Sequence, residues 1–121
     1  MTLSMECTIP GPPRPQERAR RDPRSRRWFT PKKTRQYAAT ARQSALAARP
    51  SGWPMDARYR VELDFHFPDA RRRDLDNACK AVLDALNRAV WDDDSQISEI
   101  TLRGHVDREQ PRAELRVEVL A

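Results

Sequence analysis

The chain has little glycine, little cysteine and no long apolar run, and each shortage excludes something. No apolar stretch is long enough for a signal peptide or a membrane span, which points to a cytoplasmic protein with no membrane partner. Cys7 and Cys79 have no metal-like spacing and fall on apolar faces of the elements read below, so they suit small core residues kept reduced and imply no zinc site. Three glycines leave few places for tight loops. A calcium-binding helix-loop-helix counted from Asp92 needs Gly at its sixth position and Glu at its twelfth, where this chain has Ile97 and Arg103. A D-x-D phosphatase nucleophile needs its acids directly after a buried parallel strand in a larger domain, whereas here a polar PDARRR loop intervenes and the chain is short. Nothing calls for a small-molecule cofactor.

Charge is abundant instead, at 34% of residues, with a net +5 and a pI near 9.9. It is uneven. From Arg14 to Arg35 ten basic residues face only Glu17 and Asp22, so the remainder of the chain is net acidic. A positive segment of this kind suits a polyanion, nucleic acid before anionic membrane, and the plainer reading is a solvated basic loop. The candidate DNA contacts in it are Arg14, Arg18, Arg20, Arg21, Arg24, Arg26, Arg27, Lys32 and Lys33, joined further on by Arg71, Arg72 and Arg73.

At 121 residues the chain suits one domain, 1–121, with a single modest core. Leu3, Met5, Cys7 and Ile9 alternate with polar residues as in a half-buried strand, which Pro10-Gly11-Pro12-Pro13 stops. The basic stretch after it, about residues 12–30, lacks periodicity and predicts a mobile loop. Thr30 and Pro31 suit an N-cap and first helical position for a helix running to about Ala48. Tyr59, Val61, Leu63, Phe65 and Phe67 mark a clear strand. Leu75, Cys79, Val82, Leu83, Leu86 and Val90 recur at steps of three and four, predicting an amphipathic helix from about Asp74 to Ala89. Two further strands follow, around Ile100 to Val106 and Ala113 to Val119, with Asp107 to Pro111 joining them as a hairpin. The order β-α-β-α-β-β predicts an α+β fold, a mixed sheet with two helices packed on it.

Within a basic protein, the stretch "RRRDLDNACKAVLDALNRAVWDDDSQI" concentrates acids. Mg²⁺ takes oxygen ligands, commonly one or two carboxylates with water and substrate phosphate. Asp74 and Asp76 at the first turn of a helix suit it, and Asp94 becomes a third ligand if the loop after the helix folds back. Taken singly, Asp74 is equally a plain N-cap, Asp76 with Lys80 a surface i, i+4 pair, and Asp92 to Asp94 a solvated turn.

These residues carry a resemblance. "RRRDLDNACKAVLDALN" followed by "DDDSQI" resembles the signature of the RusA family of Holliday junction resolvases, with D-L-D-N, a lysine four residues after the second Asp, D-A-L and a D-D-S-Q turn in order. "IPGPPRPQERAR" and "FTPKKTRQY" resemble the family's first strand, basic loop and helix start, so that the likeness runs over about residues 3 to 107. It implies a RusA-like fold and a homodimeric, Mg²⁺-dependent crossover junction endodeoxyribonuclease, with Mn²⁺ as a substitute ion. Asp74, Asp76 and Asp94 would be its catalytic and metal-binding aspartates and Lys80 its essential lysine. Two departures stand out: "NRAVW" lacks the glycine often found there and is about a residue short, and an extra Asp92 precedes the usual pair, leaving Asp93 as an alternative third carboxylate.

On this reading the acids hold metal against a phosphodiester while the arginines offset their repulsion of DNA, and paired symmetric nicks resolve a four-way junction. Trp28 and Phe29 suit either base stacking at the crossover or core packing. Two other functions stay open: a nuclease of the same fold acting on other branched DNA, and a non-catalytic basic DNA-binding protein.

Overall fold

A computed structural model describes residues 2–120. The chain passes through β1 (Ser4–Pro10), a small ribbon of β2 (Arg20–Arg21) and β3 (Trp28–Phe29), α1 (Lys32–Ala48), β4 (Arg58–Phe67), α2 (Leu75–Leu86), a 3-10 turn (Asp94–Gln96), β5 (Ile97–Val106) and β6 (Arg112–Leu120). The long elements follow the expected β-α-β-α-β-β order. They form a small α+β domain with two helices on a mixed four-stranded sheet, ordered β1-β6-β4-β5.

Strand β4 lies inside this sheet because its alternate residues Tyr59, Val61, Leu63, Phe65 and Phe67 are all apolar, and all five are buried. The same face of the sheet adds Met5, Ile9, Ala113, Leu115 and Val117, and the helices cover it with Tyr37, Ala41, Ala45, Ala78, Cys79, Val82 and Leu86. The opposite face is charged and open, and ion pairs such as Arg60 with Glu99 and Glu118 run across neighbouring strands. Gly104 lets the start of α2 approach β5, since a Cβ there would sit 3.2 Å from a Leu75 methyl.

The hairpin expected between the last two strands does not form. Strand β5 pairs parallel to β4, with Leu63 opposite Leu102, and β6 pairs antiparallel on the other side of β4, with Leu63 opposite Leu115. The connecting residues step over the end of β4, where the Asp107 N–H donates to the Phe67 carbonyl at 2.8 Å. Alternation shows that two segments are strands but carries no information on which third strand lies between them.

Three boundaries also differ. The basic loop folds into the β2–β3 ribbon. Pro31 itself occupies the N-cap position of α1, so the helix begins at Lys32, one residue later than expected, with no side-chain cap. Helix α2 ends at Leu86 rather than Ala89 because Arg88 takes a left-handed conformation, φ 67°. Arg88 thus fills the role that glycine plays at helix ends. The chain beyond is held by outside donors: Arg42 donates to the carbonyls of Asn87 (2.8 Å) and Arg88 (3.3 Å), Arg49 to that of Ala89 (2.8 Å) and the Trp53 indole to that of Val90 (2.8 Å).

An L-residue in this region costs about 1–2 kcal/mol, partly offset by the greater unfolded-state entropy of glycine. Arg88→Gly should therefore stabilise the protein by about 0.5–1 kcal/mol, read as a raised urea midpoint at unchanged slope. A lowered midpoint would mean that the Arg88 side chain contributes more than its backbone costs.

Candidate active site

Helix α2 starts just past the end of β4, and its first turn carries the first two acids. The Asp74 carboxylate accepts from the Asp76 N–H at 3.0 Å, which makes Asp74 the N-cap, and its other lone pairs remain open to solvent. Asp76 and Lys80 are exposed one helical turn apart, and neither makes a side-chain ion pair among the described residues. The surface i, i+4 pair does not form, and both groups are left for solvent or ligand.

Past α2, Asp93 and Asp94 have different tasks. Asp93 caps the 3-10 turn: its carboxylate accepts from the Ser95 N–H at 2.9 Å while the Gln96 side chain accepts from the Asp93 N–H at 2.8 Å. The hydrogen bonds from Ser95, side chain first, hold its carboxyl below the usual range. Gln96 also donates to the carbonyls of Met55 and Ala57, pinning the turn to the chain that enters β4. Asp94 is half-buried, and its carboxyl is pushed upward, first by desolvation and then by the charges of Asp93 and Asp84. Asp92 is exposed.

The buried thiol of Cys79 links the two regions. It is pushed up to about 11, by burial first and then by the negative charges of both Asp76 and Asp94. The start of α2 and the 3-10 turn therefore act on one point in the helix. Asp84, eight residues after Asp76 on the polar face, acts on Asp94 and not on Cys79, and is the acidic neighbour that the sequence reading did not single out. Its signal was the spacing Asp76, Lys80, Asp84 at steps of four.

Among the described residues, no group of three or more His, Cys, Asp or Glu side chains is close enough to enclose a metal ion. The donor set instead fits a hard cation held openly: carboxylate oxygens with free lone pairs, beside a lysine with no counter-ion, with the remaining ligands left to water and phosphate.

Beside Asp74 opens a cleft of about 390 Å³ whose lining includes Arg71, Arg72, Arg73, Asp74 and Asn77. A larger hollow, about 560 Å³, lies on the open sheet face, but Glu6, Glu62, Asp64 and Glu114 line it and would repel a phosphodiester. The arginine-rimmed cleft is the better fit for a polyanion. Its three arginines are not equivalent. Arg73 pairs with Asp69 at 2.6 Å and lies over the Phe67 ring, Arg71 pairs with Asp69 at 3.3 Å, and Arg72 is exposed. In the basic segment, Arg14 and Arg20 pair with Glu17, while Arg18, Arg21, Arg24, Arg26, Arg27, Lys32 and Lys33 are exposed. Trp28 and Phe29 are exposed as well, which removes the core-packing alternative.

The convergence on Cys79 can be measured. In the double variant Asp76→Asn with Asp94→Asn, the Cys79 thiol should titrate lower than in the parent, so alkylation at pH 9 speeds up. Cys7, raised to about 11 by burial alone, is the internal reference and should not change. Equal behaviour of both thiols would show that the two carboxylates do not share this point.

The family model described as Endodeoxyribonuclease RusA matches residues 10–118. Proteins named crossover junction endodeoxyribonuclease RusA from Escherichia coli strain K12 and Shigella sonnei strain Ss046, and one of that name from Enterobacteria phage 82, are each 51% identical to this chain over 39 residues. Those residues are 31% of this chain and 32% of each relative, so these pairings span about a third of the relatives' length. With the family model covering nearly all of the described residues, this chain belongs to the RusA family of endodeoxyribonucleases.

Proposed function

We propose that this protein is a Mg²⁺-dependent endonuclease that resolves four-way DNA junctions by paired symmetric nicks. The observation that carries the proposal is the cleft rimmed by Arg71, Arg72 and Arg73, which opens beside the capped, acid-bearing start of α2. A phosphodiester is drawn to the arginines and brought against carboxylates that would otherwise repel it.

Bound Mg²⁺, or Mn²⁺ in its place, would supply Lewis acidity at the phosphoryl oxygen and a water of lowered pKa. Asp74 and Asp76 would hold the ion, the first with its rotamer fixed by the N-cap bond. Asp94 adds negative charge that, like that of Asp76, is felt at Cys79, and its raised carboxyl is what a nearby cation would relieve. Lys80, one turn past Asp76, places an ammonium where charge develops on the phosphate in the transition state. The exposed residues of the basic segment position the duplex arms through phosphate without reading bases. Lys32 and Lys33 sit at the positive end of the α1 dipole with no acid in the first turn, an arrangement that a bound phosphate relieves.

A junction has two strands to cut, and a two-fold dimer presents two equivalent sites. The edge strand β5 leaves Ile100 at 42% and Val106 at 50% exposed, an apolar strip for a second copy to cover. Light scattering at micromolar concentration should give twice 14.1 kDa. A fully active monomer would contradict the dimer.

On labelled synthetic junctions, Mg²⁺ should produce paired nicks near the branch and leave a linear duplex of the same sequence intact. Asp94→Asn should slow cutting by orders of magnitude while junction binding survives. Asp93→Asn should retain cutting and lose about 1 kcal/mol or less of stability from the altered cap. If Asp93→Asn abolishes cutting and Asp94→Asn does not, the third carboxylate is Asp93. Absence of any cutting by the parent protein under these conditions would overturn the nuclease reading.

A further inference from the structure

Large aromatic side chains are costly to leave in water, yet Trp28 is 68% exposed and Phe29 47% exposed, side by side on a two-residue strand. Alternation along a strand sends them to opposite faces of the ribbon, and neither ring reaches the core. The other two tryptophans, Trp53 and Trp91, are buried in the core. Among the described residues Trp28 has no aromatic or cation–π partner, although Arg21 lies directly across the ribbon from it. The Arg21 guanidinium is directed to the turn instead, donating to the Arg26 carbonyl at 3.3 Å.

The ribbon that carries these rings is tightly specified. Its turn closes through Asp22 N–H to the Arg27 carbonyl (2.9 Å) and Arg26 N–H to the Asp22 carbonyl (2.8 Å). The Asp22 carboxylate accepts from the Arg24 N–H at 2.8 Å, and Arg26 holds a left-handed φ of 60°. Its base is tied to both helices. Glu17 accepts from the Thr34 hydroxyl of α1 (2.9 Å), Arg14 (3.0 Å) and Arg20 (3.2 Å), and the Gln16 N–H donates to the Asn77 carbonyl in the first turn of α2 (3.2 Å). Trp28 is thus held on a braced arm attached next to Asp76.

We propose that Trp28, supported by Phe29, is a stacking wedge that takes up a base exposed at the branch point of the DNA. This rests on the junction-nuclease reading and adds to it the group that distinguishes a branch from a continuous duplex. The choice of occupant follows from charge. Arg20 pairs with Glu17, but Arg21, Arg24, Arg26 and Arg27 of the ribbon form no ion pair among the described residues, and its one other carboxylate, Asp22, is engaged in the turn. A second copy of the same ribbon would be repelled, whereas a nucleic acid satisfies the cations with its phosphates and the rings with its bases. In a fully paired duplex every base is already stacked, so the rings find a partner only where stacking is broken.

The test is equilibrium binding without Mg²⁺, so that nothing is cut. Three DNAs are compared: a four-way junction, the same junction with abasic sites at the nucleotides flanking the branch, and a linear duplex. Trp28→Ala should weaken junction binding by roughly 5- to 150-fold, the equivalent of about 1–3 kcal/mol per stacked base, and leave duplex binding unchanged. Trp28→Phe should keep most of the affinity. Abasic sites should bring the parent protein down to the level of Trp28→Ala. Tryptophan emission should be quenched by the intact junction but not by the duplex, and the quench should vanish in Trp28→Phe. Equal losses on junction and duplex, no effect of abasic sites, or a shift of Trp28→Ala to a smaller mass in light scattering would each overturn the wedge. If the parent bound junction no more tightly than duplex, both the wedge and the junction reading would fail; a junction preference insensitive to abasic sites would remove the wedge alone. Should Trp28→Ala not fold, Trp28→Phe and the abasic junction still decide.

Discussion

The parallel pairing of β4 with β5 is the constraint on which the site depends. Two parallel neighbours cannot be joined by a turn; the chain must return to the starting end of the first strand, and a helix is the economical way back. Helix α2 is that return, and its direction places one group of acids at its start, past the end of β4, and the other in the turn before β5 begins. The same pairing leaves the far edge of β4 free for β6, which in turn carries β1 and completes the floor beneath both helices.

The return path is short, and it is held by side chains from elsewhere. Arg42 of α1 and Arg49 at its C-terminal end hold the carbonyls of Asn87, Arg88 and Ala89 just past α2, Trp53 holds that of Val90, and Gln96 pins the 3-10 turn to Ala57. The four consecutive carbonyls of Asn87 to Val90 are thereby satisfied. What this bracing supports is electrostatically unfavourable by itself. Burial and then the negative charges of Asp93 and Asp84 raise the Asp94 carboxyl. A cation bound nearby, as in the proposed function, would relieve that repulsion.

Strand β4 and helix α2 were legible in the sequence because each carries an uninterrupted apolar period, two for the strand and between three and four for the helix. Asp74 and Asp76 were legible for the same reason, being fixed to the helix start. The order of strands was not: Ala113, Leu115 and Val117 alternate identically whether their neighbour is β5 or β4. The β2–β3 ribbon escaped notice because its two-residue strands are too short for any period and its turn depends on Asp22 and on a left-handed Arg26 rather than on the usual glycine. The division of labour between Asp93 and Asp94 was equally hidden, since it follows from which carboxylate meets the Ser95 N–H.

The proposed function has Asp74 and Asp76 hold a cation whose binding is also felt at the 3-10 turn. A Mg²⁺ titration of the protein without DNA, followed by backbone amide chemical shifts, tests it most directly. The account predicts that the amides of Asp74 to Lys80 and of Asp94 to Gln96 shift together along a single binding curve. Shifts confined to one of these segments, or centred on Glu62, Asp64 and Glu114 of the open sheet face, would contradict it.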